Sequence, residues 1–88
     1  MGYQVILTKA AMRHKSLLKA AHLDGKARSL LDILCVNPWQ SPPPYEKLVG
    51  DLAGCCSRRI NIQHRLVYTV DEATRIVRVL SMWTHYDL

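Results

Sequence analysis

Apolar residues recur along the chain with two different periods. In the first half, one stretch follows the i, i+3, i+4, i+7, i+8 pattern of a single helix face: Ala27, Leu30, Leu31, Leu34 and Cys35. In the second half, runs rich in β-branched residues predict strands over residues 55–60, 65–70 and 75–82. The change of period predicts that helices and strands occupy different parts of the chain.

The residues between these runs indicate where the elements begin and end. Residues 3–7 predict a first strand, and Thr8 can cap a helix that runs to about Ala21. Asp24 is the next plausible cap, and the second helix ends at Asn37-Pro38. The prolines at 38, 42, 43 and 44 predict a stiff loop from the helices to the sheet. Turns at 61–64 and 71–74 join the later strands as two hairpins.

The element order predicts one α+β domain over residues 1–88. Its N-terminal strand is followed by two helices, which pack on an antiparallel meander of three to four strands. Hydrophobic residues make up 49% of the chain, which is enough for a core. No apolar run approaches the roughly 20 residues that span a bilayer, and the N-terminus lacks a secretion signal. We therefore expect a cytoplasmic protein with no membrane partner.

Positive charge is concentrated in the first third of the chain. The net charge is +5 and the isoelectric point is about 9.4. Against one acid, Asp24, this part carries six basic residues: Lys9, Arg13, Lys15, Lys19, Lys26 and Arg28. Such a face is either a solvated helical surface or a docking face for a polyanion, and composition alone leaves both open.

The three cysteines predict neither a disulfide framework nor a metal site. Their number is odd and no CxxC spacing occurs. Cys35 falls on the apolar stripe of the second helix, where we expect a small core residue. Cys55 and Cys56 are adjacent and would point to opposite faces of a strand, so we expect two free thiols with one buried.

Two pairs of polar residues are candidates for chemistry. If the first hairpin is symmetric about Ile62, Arg59 faces Arg65, and the two guanidiniums need either an internal carboxylate or an external phosphate. Glu46 follows the proline loop and His85 lies near the C-terminus. A carboxylate and an imidazole suit general acid–base catalysis, although both residue types are also common on solvated surfaces.

Residues 45–54 (YEKLVGDLAG), 57–60 (SRRI), 64–68 (HRLVY) and 82–86 (MWTHY) together resemble the YoeB/Txe branch of the RelE toxins. This resemblance implies a RelE-like fold and cleavage of mRNA in the ribosomal A site by attack of a 2′-hydroxyl, without a cofactor or metal. It also implies an acidic, YefM/Axe-like antitoxin as partner, and allows a homodimer.

The resemblance also implies roles for individual residues. Glu46 would be the general base, His85 the general acid, and Arg65 the group that stabilises the phosphorane, assisted by Arg59. Tyr86 would orient the substrate. Further contacts with the substrate or with ribosomal RNA are expected from six basic residues: Lys47, Arg58, Lys9, Arg13, Lys15 and Lys19.

Two departures from the family pattern leave other functions open. Cys55 and Cys56 stand where the family has aromatic residues, and Val49 stands where related sequences often carry a lysine. Lys47 would replace that lysine if both residues share one face of a strand. The alternatives are a catalytically decayed toxin that still binds its antitoxin, and a non-nuclease module such as a ParE-like gyrase inhibitor. Retention of the catalytic set argues against the second.

Overall fold

A computed structural model of the protein describes residues 2–83 of its 88 residues. The helices and strands follow in this order: β1 (Gln4–Leu7), α1 (Lys9–Ala20), α2 (Asp24–Val36), β2 (Glu46–Lys47), β3 (Cys56–Arg59), β4 (Arg65–Asp71) and β5 (Ile76–Ser81). A short 3₁₀ helix covers Gly50–Leu52. Within residues 2–83, no helix is long and apolar enough to cross a membrane.

The strands form one five-stranded sheet in the order β1-β5-β4-β3-β2. Strands β2 to β5 are antiparallel neighbours, which confirms the predicted meander, and β1 joins β5 in parallel. The predicted α+β architecture is therefore confirmed. The two-residue edge strand β2 pairs Glu46 with Ser57 and Lys47 with Cys56.

The beginnings of the two helices differ in how they are capped. Thr8 caps α1 as predicted, because its hydroxyl accepts a hydrogen bond of 3.3 Å from the Ala11 amide. The predicted cap of α2 is wrong by one position. Leu23 is the N-cap and makes no side-chain hydrogen bond, while Asp24 is the first helical residue. Its negative charge there favours the positive end of the helix dipole.

The core lies between the two helices and one face of the sheet. Its buried members come from both layers and include Leu18, Leu30 and Leu34 from the helices, and Leu66, Tyr68, Val77 and Val79 from the strands. Because side chains alternate along a strand, the neighbours of these residues point to the opposite face of the sheet, here called the outer face. The outer face carries Glu46, Ser57, Arg59 and Arg65.

Cys35 does not belong to this core. It is exposed, whereas Leu34 beside it is completely buried. One residue corresponds to a rotation of about 100° around a helix, which carries Cys35 beyond the edge of the buried stripe. The prediction of a core cysteine in α2 is therefore wrong.

A buried arginine holds the proline loop, residues 38–44, against the sheet. The Arg58 side chain is completely buried. Its Nη1 donates to the Pro43 carbonyl at 2.6 Å, and its Nη2 donates to the carbonyls of Pro38 and Gln40 at 2.9 and 2.8 Å. In residues 2–83, Arg58 Nε is the one buried side-chain nitrogen or oxygen without a hydrogen bond. The backbone of the loop does not pair with a neighbouring strand. The Arg58 guanidinium instead donates hydrogen bonds to three of its carbonyls.

Aromatic side chains support both ends of the proline loop. The guanidinium of Arg58 lies 5.0 Å from the ring centroid of Tyr45, and Tyr45 lies 5.9 Å from Trp39. The Trp39 indole donates a hydrogen bond of 2.6 Å to Glu72. This hydrogen bond and, to a smaller extent, one from Tyr3 hold the pKa of Glu72 below its ordinary value. The loop is thereby tied to the turn after β4 as well as to β3.

We predict that Arg58→Met lowers the free energy of unfolding by about 3 kcal/mol, because hydrogen bonds from a charged donor are lost and buried carbonyls remain without partners. Urea unfolding of the purified proteins measures this. The matched control is Arg59→Met at the next, exposed position, which should change stability by less than about 0.5 kcal/mol. Equal effects of the two substitutions would contradict the role given to Arg58.

Candidate functional site

Glu46 and Arg65 meet on the outer face although they are 19 residues apart in sequence. Arg65 Nη1 donates to Glu46 Oε1 at 2.7 Å and to the Ser57 hydroxyl at 3.1 Å. Strand β3 lies between their two strands and brings them together, since it pairs with both β2 and β4. The Glu46 side chain remains 61% exposed and that of Arg65 21%. The carboxylate is therefore open to an incoming molecule.

The predicted pairing of Arg59 with Arg65 is confirmed, since the two residues are direct partners in the β3–β4 register. From the sequence, the anion that balances these two guanidiniums could be either an internal carboxylate or an external phosphate. For Arg65 the structure supplies an internal carboxylate, that of Glu46. Arg59 is exposed, and no acid within residues 2–83 forms an ion pair with it. One guanidinium on this face thus remains available to an external anion.

Two residues that the sequence predicts to bind substrate, Arg58 and Lys47, do not lie beside Glu46 and Arg65 on the outer face. Arg58 faces the proline loop and is completely buried, so the expectation that it contacts substrate is corrected. Lys47 alternates with Glu46 along β2 and therefore points away from the outer face, with its ammonium 5.9 Å from the Trp39 ring. Neither side chain joins Glu46 and Arg65.

The condition under which Lys47 would take the place of a lysine at position 49, that both residues share one face of a strand, is not met. Strand β2 ends at Lys47, so the two residues do not share a strand face. Val49 is 84% exposed and directly precedes the 3₁₀ helix. The shortness of this edge strand, which the sequence did not predict, is the reason.

The adjacent cysteines are free thiols, and Cys56 is buried while Cys55 is half-buried, as predicted. Burial raises the pKa of the Cys56 thiol. Within residues 2–83, no group of three or more His, Cys, Asp or Glu side chains could hold a metal ion.

The two remaining catalytic candidates, His85 and Tyr86, lie outside the described residues. The chain that leads to them is held by two histidines that sequence reasoning did not single out. His14 Nδ1 accepts a hydrogen bond of 3.1 Å from the Met82 amide. The buried His64 ring stacks on Trp83 with 4.0 Å between ring centroids. These contacts hold Met82 and Trp83, the last residues that the structure describes, against α1 and the turn after β3.

Ser57 is the other residue of the site that sequence reasoning missed. Its signal was its position two residues before Arg59 in a predicted strand, which places both on one face. The serine was noted only as part of a motif. Its hydroxyl becomes informative once the register shows Glu46 directly opposite and Arg65 within hydrogen-bond distance.

The basic residues of the helices are all exposed and form no ion pair within residues 2–83. Three of them, Lys15, Lys19 and Arg28, line a groove of about 630 Å³ between α1 and α2. The floor of this groove includes the apolar side chains of Leu18 and Leu31. These three positive charges therefore lie together along one groove on the helical side of the molecule.

A family model described as "YoeB-like toxin of bacterial type II toxin-antitoxin system" matches residues 17–86. The toxin YoeB of Synechocystis sp. is 38% identical over 73 residues, which cover 83% of this chain and 76% of that protein.

Solved structures agree with the sequence comparison. A YoeB/ParE toxin from Agrobacterium tumefaciens has a TM-score of 0.84 and 27% identity, over 94% of this chain and 99% of that one. Staphylococcus aureus YoeB, solved as a YoeB-YefM complex and as a dimer, has TM-scores of 0.78 and 0.77. Its identities are 30% and 29%, over 96% of this chain and 98% of that chain.

We predict that the anchor at Met82 weakens in mild acid. Burial, and then the charge of Arg13, lower the pKa of His14 below its ordinary value of 6.5. The neutral imidazole is the form that accepts the Met82 amide. Its contribution is therefore complete above about pH 6.5 and is lost as the pH falls through the lower folded pKa.

Amide hydrogen exchange at Met82 from about pH 7.5 to about pH 5 measures this, after correction for the intrinsic rate. In the wild type, protection of the Met82 amide should fall as the pH is lowered. In His14→Leu it should be low over the whole pH range. The exposed His22 supplies the control, since His22→Gln should keep the wild-type response. Protection that does not change with pH in the wild type would overturn the prediction.

Proposed function

The chain belongs to the YoeB-like toxins of bacterial type II toxin–antitoxin systems, and we propose that it is a ribosome-dependent mRNA endonuclease. The observation that carries the proposal is the contact of Glu46 with Arg65 on the outer face, 2.7 Å apart. A carboxylate beside a guanidinium offers a proton acceptor and a charge-matched donor to one phosphodiester.

RNA supplies the nucleophile for this reaction. Glu46 takes the proton of a 2′-hydroxyl, and the 2′-oxygen forms a bond to the adjacent phosphorus. The bond from that phosphorus to the 5′-oxygen breaks. The products are a 2′,3′-cyclic phosphate and a free 5′-hydroxyl. DNA lacks the 2′-hydroxyl, so this mechanism excludes it as a substrate.

Arg65 stabilises the negative charge that develops on the phosphate oxygens. Donors that are already aimed at developing charge stabilise a transition state without further reorganisation. Arg59, opposite Arg65 in the register, adds a second positive charge to the same face. The like charges of the two guanidiniums, costly without an anion between them, favour binding of a phosphate.

The family resemblance supports the remaining roles. His85 gives its proton to the leaving 5′-oxygen, and Tyr86 orients the substrate. Both lie outside the described residues, but the chain is anchored at Met82 and Trp83 immediately before them.

The basic residues on α1 and α2, which form no ion pair within residues 2–83, support docking on ribosomal RNA. A surface rich in uncompensated Lys and Arg gains affinity for RNA by releasing counterions. The site of action would be the cytoplasm, where translating ribosomes lie.

The cellular partner that we propose is an acidic antitoxin. The chain carries a net charge of +5, which favours rapid capture by an acidic protein. The S. aureus relative was solved with YefM and as a dimer, and these findings support a YefM-like partner and a homodimer for this chain. An antitoxin segment near the meander would cover His85 and Tyr86 and block RNA.

We predict that Glu46→Gln, Arg65→Ala and His85→Ala each lower the rate of mRNA cleavage by about 10²- to 10⁴-fold, since each removes a positioned proton-transfer or charge-stabilising group. Cleavage of an mRNA under translation by purified ribosomes measures this, by primer extension. Asp51→Asn, an acid-to-amide change at an exposed residue near β2, is the control and should cleave at the wild-type rate. Wild-type cleavage by both Arg65→Ala and His85→Ala would remove the assignment.

We further predict that reversing the charges of Lys15, Lys19 and Arg28 weakens co-sedimentation with ribosomes and reduces its dependence on salt. The control exchanges the same three residues between Lys and Arg, which keeps the charge and should keep the binding. Circular dichroism checks that both proteins fold. If charge reversal leaves sedimentation unchanged, this face is an ordinary solvated surface.

A further inference from the structure

Arg65 uses one nitrogen to donate to two acceptors of different kinds. Its Nη1 contacts Glu46, a charged side chain that is 61% exposed, and Ser57, a neutral side chain with no exposed surface. Ser57 lies on β3, between paired strands on both sides, so its backbone is held firmly. Of the two acceptors, Glu46 is therefore free to move and Ser57 is not.

The reaction proposed above requires Glu46 and Arg65 to separate. The Glu46 carboxylate must reach the 2′-hydroxyl, whereas its Oε1 is held by Arg65 Nη1 at 2.7 Å. The substrate phosphate also competes for the same guanidinium. When Glu46 turns to the 2′-hydroxyl, Arg65 loses its charged partner, and a long side chain without a partner recovers rotamer freedom. A second acceptor must then keep it in place.

We propose that Ser57 is a positioning residue that keeps the Arg65 guanidinium aimed at the scissile phosphate after Glu46 has released it. The inference rests on the proposed function. A neutral hydroxyl suits this task, because it accepts a hydrogen bond without competing with the phosphate for the charge. Within residues 2–83, no acceptor contacts Arg65 Nε or Nη2, so this edge of the fork remains available to phosphate oxygens.

A kinetic comparison separates positioning from simple packing. Ser57→Ala removes one oxygen atom and should lower kcat about tenfold while KM changes little, because the bond matters most after Glu46 has moved. Ser57→Thr keeps a hydroxyl and should recover most of the rate. Thr69→Val removes a hydroxyl from the same face of the neighbouring strand β4 and should cleave like the wild type.

The decisive kinetic test combines Ser57→Ala with Arg65→Ala under single-turnover conditions. A residue that acts through Arg65 has nothing left to position in the Arg65→Ala protein, so the second substitution should cause no further loss. An equal fold-loss in both backgrounds would show that Ser57 acts independently of Arg65 and would overturn the proposal.

A spectroscopic test does not depend on cleavage. In protein labelled with ¹⁵N-arginine, a guanidinium held by a hydrogen bond gives separate Nη resonances, and a freely rotating one gives an average. Arg65 in Glu46→Ala should keep separate resonances, and Arg65 in Glu46→Ala/Ser57→Ala should not. If Glu46→Ala alone averages them, Ser57 cannot hold Arg65 and the proposal fails. Wild-type protein that does not cleave mRNA, with separate resonances retained, would instead refute the nuclease function alone.

Discussion

The buried guanidinium of Arg58 is the contact on which the geometry of the site depends. The segment from Pro38 to Pro44 is rich in proline and cannot join the sheet through its own amides. Arg58 gives it three hydrogen bonds from the middle of β3, and these place Tyr45 and then Glu46 beside that strand. Without this contact, the loop that leads to Glu46 would lose three of its hydrogen bonds to the sheet.

The side chains of strand β3 have different surroundings on the two faces of the sheet. Arg58 points to the proline loop and organises it, while Ser57 and Arg59 point to the outer face, where the proposed chemistry takes place. Two adjacent arginines thus point to opposite faces of the sheet because side chains alternate along a strand. The Glu46 carboxylate pairs with Arg65, and within residues 2–83 no acid pairs with Arg59.

The sequence predicted most of the fold because the signals involved are local. Apolar periodicity located α2, the Thr8 cap placed the start of α1, and the turn at 61–64 predicted the register that brings Arg59 opposite Arg65. Several of the errors concern how separate segments pack against each other. The burial of Arg58 and the brevity of β2 depend on how the proline loop packs, which no local pattern encodes.

The proposed reaction is cleavage of mRNA by its own 2′-hydroxyl, which Glu46 activates. The chemistry of the product ends tests this proposal most directly. An mRNA is translated by purified ribosomes in the presence of the protein, and both new ends are analysed. The account predicts a 5′-hydroxyl and a 2′,3′-cyclic phosphate, with no cleavage when ribosomes are omitted. A 5′-phosphate with a 3′-hydroxyl, or intact mRNA with damaged DNA, would contradict it.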